Sequence, residues 1–169
     1  AASDVYKRQH LGTAITKAVN WSRSVESLTV ASDGGVQIPV LGDRWKSLFT
    51  HRATGFNVTD EERAAALMKL LETVPESDRN AQWVESIAVA QMGQLISAWE
   101  VTGLKGLLID QYHLAPSPFR GFWVYGMWFF PQYGKHYWEL EEEELQAVGE
   151  PWFKIQKFLI DLLQITARS

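Results

Sequence analysis

Gly121-Phe-Trp-Val-Tyr-Gly-Met-Trp-Phe-Phe130 is the segment on which the reading of the fold turns. Taken as a strand, it places Phe122, Val124, Trp128 and Phe130 on one side and Trp123, Tyr125, Met127 and Phe129 on the other. Neither side is polar, so the strand must be covered on both faces, by its own fold or by a partner. The wider stretch from Phe119 to Trp138 holds ten aromatic residues among twenty, with Met127 and three glycines.

Working outward, Tyr112 to Pro118 carries two prolines and reads as a loop. Pro131 ends the strand, and Gln132-Tyr133-Gly134 turns the chain. Glu141 to Val148 predicts a short acidic helix stopped by Gly149. Pro151 opens a last helix that buries Trp152, Ile155, Phe158, Leu159 and Leu162. Upstream, Thr59-Asp-Glu-Glu62 is a capping box, followed by an apolar stripe of Leu67, Leu70, Leu71 and Val74 that Pro75 terminates. A second helix is expected from Ser77 or Asp78, with Trp83, Ile87, Ala90 and Leu95 on its apolar face and Gly103 at its end. Leu104 to Ile109 fits a short buried helix or strand. Ser27 to Val40 alternates around Asp33-Gly34-Gly35 and predicts a β-hairpin. Leu11 to Trp21 has the spacing of a short amphipathic helix.

These elements give an α+β fold: a helix-rich single domain with a small, mainly antiparallel sheet that includes the aromatic strand near 121–130. The domain is expected to span residues 10–169. Asp4-Val-Tyr-Lys-Arg-Gln9 resembles the translation of a transposon-end adapter, so residues 1–9 are expected to be a non-native or disordered terminus. The remainder is expected to be the C-terminal part of a longer protein.

Composition narrows the chemistry. Of 169 residues, 46% are hydrophobic and 21% charged, which is ordinary for a globular chain. The absence of cysteine removes disulfides, thiolate nucleophiles and cysteine-held metals, and fits a cytoplasmic location. Residues 1–57 carry seven basic and four acidic side chains, whereas residues 58–169 carry nine and sixteen. The basic excess is scattered and the second part is acidic, so nucleic acid is an unlikely partner. No run reaches the eighteen apolar residues that suggest a transmembrane helix, and no continuous apolar block follows Ala1 to His10 as in a signal peptide.

Candidate functional residues fall into two groups. Glu100, Asp110 and His113 are the acid–base candidates, because a carboxylate at the apolar end of an element has a raised pKa and serves as an acid. His113 and His136 each stand three residues from a carboxylate, Asp110 and Glu139, yet no H-E-x-x-H element accompanies them and no metal site is assigned. Trp123, Tyr125, Trp128 and Tyr133 offer flat faces for a ligand or an interface, with Arg120 as an anion anchor. Neither a glycine-rich phosphate loop nor a G-x-S-x-G elbow is present. The leading expectation is a non-catalytic interaction or assembly protein, binding a protein partner or a second copy of itself through its aromatic surface. The alternative is a small enzyme or small-molecule-binding domain with an aromatic-walled pocket and proton-transfer groups at Glu100, Asp110 and His113. No cofactor is specified by either.

Overall fold

The computed structural model describes residues 2–49, 58–119 and 122–166, with side chains from Gln9 onward in the first segment. In chain order the elements are α1 (Ala2–Val25), β1 (Thr29–Gln37), α2 (Asp60–Leu71), β2 (Asn80–Gln91), β3 (Gln94–Leu108), β4 (Trp128–Phe130), β5 (Lys135–His136), α3 (Glu142–Ala147) and α4 (Pro151–Thr166). The strands form one antiparallel sheet in sequential order, β1-β2-β3-β4-β5. The fold is therefore the helix-rich α+β domain expected, and its sheet includes the end of the aromatic segment. Its residues group into two units, 1–35 with 83–103 and 150–169, and 36–82 with 104–149.

In the first unit the sheet is covered on both faces, which explains its sequence. Ala14 and Ala18 of α1 pack on Ala88 and Ala90 of β2, with Ala31 and Ala98 beside them. Ile155 of α4 packs with Ile87 and Val101, and Trp99 and Leu159 complete that cluster. Residues 87 and 88 point to opposite faces of a strand, so α1 and α4 lie on opposite sides of β2. A strand buried on both sides loses polar alternation. Trp83, Ile87 and Ala90 consequently fall at helix-like spacing, and the helix expected from Ser77 is instead a hairpin of β2 and β3. Its turn is Met92-Gly93, with φ of 50° and 77°. Two positive φ values are what a two-residue turn matching strand twist requires. Gly103 thus lies inside β3 rather than beyond a helix.

The hairpin expected around Asp33-Gly34-Gly35 is also absent, because β1 runs straight through it. Gly34 serves close approach rather than turning. A Cβ there would stand 2.9 Å from the Val84 carbonyl oxygen and would overlap the Glu85 carboxyl.

The second unit holds α2 and the aromatic segment. The Thr59 capping box is present as read, with Glu62 N donating to Thr59 Oγ1 at 3.2 Å and Thr59 N to Glu62 Oε2 at 2.7 Å. Ala64, Leu67 and Leu71 are its buried stripe. The ten-residue aromatic strand is not continuous: 123–127 forms a 3₁₀ turn, and extended pairing begins at Trp128. There Leu107 faces Phe129 and Leu108 faces Trp128, while Phe129 pairs onward with His136. Trp123, Val124, Met127 and Trp128 are nevertheless all buried. Trp45 meets Trp123 edge to face at 6.3 Å and donates from Nε1 to the Val36 carbonyl at 2.7 Å.

Candidate active site

α1 carries His10, Ala14, Lys17 and Ala18 at the i, i+4, i+7, i+8 spacing of one helix face. The two alanines have no functional group, which lets the helix approach the sheet closely. His10, one turn before Ala14, is buried with them at 0% exposure, and Lys17 sits at the rim of the stripe with about half of its side chain exposed, 47%.

Three strands bring polar groups to the same face. Asp33 lies two residues beyond Ala31 on β1, Ser86 two before Ala88 on β2, and Glu100 two beyond Ala98 on β3. His10 Nδ1 stands 2.7 Å from Asp33 Oδ2, and Lys17 Nζ stands 2.7 Å from Asp33 Oδ1. Lys17 also donates to the Ser32 carbonyl at 3.0 Å, and Ser86 Oγ donates to Glu100 Oε2 at 2.9 Å. Partial burial by itself would raise the Asp33 pKa. The bonds and charges of His10 and Lys17 outweigh it and hold the carboxyl below the ordinary aspartate range.

Glu85 occupies the other face of β2, over Gly34. Trp83 Nε1 donates to its Oε2 at 2.7 Å. Burial dominates here and raises its pKa, with the nearby Asp33 charge adding to the rise, against the lowering bonds from Trp83 and Ser32. Two neighbouring carboxylates are thereby pushed in opposite directions, a pattern that marks acid–base sites as well as structural ion clusters.

The residues singled out from sequence are distributed over both units. Glu100 belongs to the first and shares the face of Asp33. Asp110 and His113 belong to the second. Asp110 is ion-paired with the buried Arg79. The exposed His113 ring lies 4.7 Å from that of His136, which itself stacks on Trp138 at 4.7 Å. Burial first, and the His113 charge second, lower the His136 pKa. Among the described residues, no group of three or more His, Cys, Asp or Glu is arranged to hold a metal. Trp123, Tyr125 and Trp128 are buried among other rings, with Tyr125 stacked on Tyr137 at 4.2 Å. Tyr133 is half-buried in the turn after β4, and Arg120 lies outside the described residues. His10, Lys17 and Asp33 were not among the sequence candidates. Their signal was the i, i+7 pairing of His10 and Lys17 on an otherwise alanine face.

No protein-family model matches the chain. It is 30% identical over 136 residues to a dITP/XTP pyrophosphatase of Geobacillus kaustophilus, covering 80% of this chain and 64% of that protein. It is 29% identical over 142 residues to a dITP/XTP pyrophosphatase of Caldanaerobacter subterraneus, covering 82% and 68%. The chain therefore spans about two thirds of the length of these curated relatives. Among solved structures it is similar to a HAM1 protein from Coxiella burnetii, with a TM-score of 0.73, 22% identity, and coverage of 92% of this chain and 77% of that one. The Staphylococcus aureus Ham1 protein aligns with a TM-score of 0.67 at 21% identity, covering 94% and 76%. At these identities the structures share the fold.

These likenesses correct the expectation of a non-catalytic interaction protein, since the relatives bear the name of an enzyme. The physical reason is plain in the aromatic segment. Trp123, Tyr125, Trp128 and Phe130 are buried within this chain, so the fold itself covers most of a segment that is apolar on both faces, with Phe122 left exposed. The small-enzyme alternative is the better supported of the two readings.

Proposed function

We propose that the chain hydrolyses a nucleoside triphosphate to a monophosphate and pyrophosphate, with Asp33 as general base and Lys17 as phosphate anchor. The observation that carries this reading is the Lys17–Asp33–His10 cluster, an ionised carboxylate beside an ammonium in a chain similar to dITP/XTP pyrophosphatases. By that similarity the substrate is a purine triphosphate of the inosine or xanthosine kind, met in the cytoplasm. Among the described residues, no helix is long and apolar enough to cross a membrane.

In the reaction a water oxygen attacks the α-phosphorus while Asp33 accepts the water's proton. The bond from that phosphorus to the bridging oxygen breaks, and pyrophosphate leaves with the electron pair. Phosphoryl transfer passes through a loose transition state in which positioning and charge stabilisation outweigh base strength. A carboxylate held below its usual pKa is a weak base, yet it is always ionised near neutrality and can orient the water. Each Asp33 oxygen keeps a second lone pair beyond those used by His10 and Lys17. Lys17 has three donors, of which Asp33 and Ser32 take two, and the third is available to a phosphate oxygen.

The test is pyrophosphate release from XTP, dITP, GTP and ATP by the purified chain. Asp33→Asn is expected to lower kcat by about 10²–10⁴-fold, the usual contribution of a positioned base. Lys17→Ala is expected to lower kcat/KM by about 10–100-fold, matching a charged hydrogen bond worth about 1.5–3 kcal/mol. Absence of pyrophosphate from every substrate, or an Asp33→Asn chain as active as the parent, would overturn the reading.

A further inference from the structure

We propose that His10 is a positioning residue, which donates from beneath the sheet-facing helix to Asp33 Oδ2 and fixes the orientation in which the carboxylate meets the attacking water. This rests on Asp33 being the base, as proposed above, and extends it to a residue that never touches substrate.

The location of His10 is the first argument. It continues the face that Ala14 and Ala18 bury against β2, where an apolar side chain would pack without cost. Burying an imidazole there is unfavourable unless its polar atoms are bonded. The bond is to a residue 23 positions away on β1, not to the helix itself. It therefore fixes the tertiary placement of Asp33.

The second argument is the difference between the two donors that α1 offers. Lys17 is a long, exposed side chain, and on binding a phosphate its ammonium is drawn partly toward the substrate. His10 has two side-chain torsions, both already fixed by burial, so holding Asp33 through it costs little further entropy. When Lys17 shares its charge with the triphosphate, His10 keeps Oδ2 in place. Among the described residues, the titratable groups acting on Asp33 are His10 and Lys17 from α1, with the Glu85 charge on the opposite face of β2 and Glu100 of β3 on Asp33's own face. A bond to the charged form lowers a carboxyl pKa, so its loss moves the acid limb of the rate profile to higher pH.

The experiment compares His10→Phe, which fills the site without a donor, with His10→Asn, whose amide lies near the Nδ1 position. His10→Phe is expected to lower kcat about 10–100-fold, the effect typical of removing a group that orients a functional ligand. Its KM should stay near the parent value, and its acid limb should move up. His10→Asn should recover most of the loss. A His10→Phe chain with unchanged kcat and acid limb, or His10→Asn no better than His10→Phe, would overturn the inference. An inactive parent chain would instead overturn the hydrolase reading. The contact can then be judged by proton NMR, which also serves if His10→Phe fails to fold. A slowly exchanging downfield ring N–H that disappears in Asp33→Ala sustains it, and absence of that resonance in the parent rejects it.

Discussion

Asp33 and Glu85 show how far surroundings decide what a carboxyl does. Asp33 is bonded by two donors, so its folded pKa is depressed. Its contribution to stability is present above the ordinary aspartate pKa and is lost as pH falls through the folded value. Glu85 has the opposite sign. Burial raises its pKa, so its folded-state advantage holds below the ordinary glutamate pKa and is lost as pH rises through the raised one. Glu85→Gln keeps an acceptor for Trp83 Nε1 and removes the charge. Its melting temperature relative to the parent should therefore climb between acid and mildly alkaline pH, by about 2–4 °C for each kcal/mol relieved. A difference that stays constant across that range would show that Glu85 titrates alike in the folded and unfolded chain. None of this was legible from the residues alone. Asp33-Gly34 carries the composition of a turn, and nothing local reveals that Gly34 is small because Glu85 and Val84 lie against it.

At the scale of elements, what the sequence conveyed depended on whether the signal was local. The capping box of α2 is complete within four residues, and both of its bonds are present. Thr59→Ala should cost about 0.5–2 kcal/mol, measurable by urea denaturation, with the largest loss of protection in amide exchange along α2. The β2–β3 hairpin was illegible because periodicity reports one buried face, and α1 and α4 cover two. The aromatic segment was half legible: burial on both sides could be read, but not the 3₁₀ turn at 123–127. Trp128, fully buried, fills the junction where β4 meets β3. Trp128→Ala should destabilise the fold by about 3–5 kcal/mol. A loss below about 1 kcal/mol would show that its ring is not a core element.

For the whole molecule, the α+β class was readable from the succession of elements, and the fold is that of the HAM1 structures. Glu100 on the same sheet face was singled out, whereas the His10–Lys17–Asp33 cluster was not readable, because His10 and Lys17 come from a helix and Asp33 from a strand. Folding alone joins them. The similarity to dITP/XTP pyrophosphatases and the Asp33 cluster together support cleavage at the α-phosphorus, and isotope tracing tests that claim most directly. XTP is hydrolysed in water enriched in ¹⁸O, and the products are separated and resolved by ³¹P NMR and mass spectrometry. Attack at the α-phosphorus predicts one ¹⁸O in the nucleoside monophosphate and an unlabelled pyrophosphate. Label in orthophosphate, with a nucleoside diphosphate as the other product, would contradict the account.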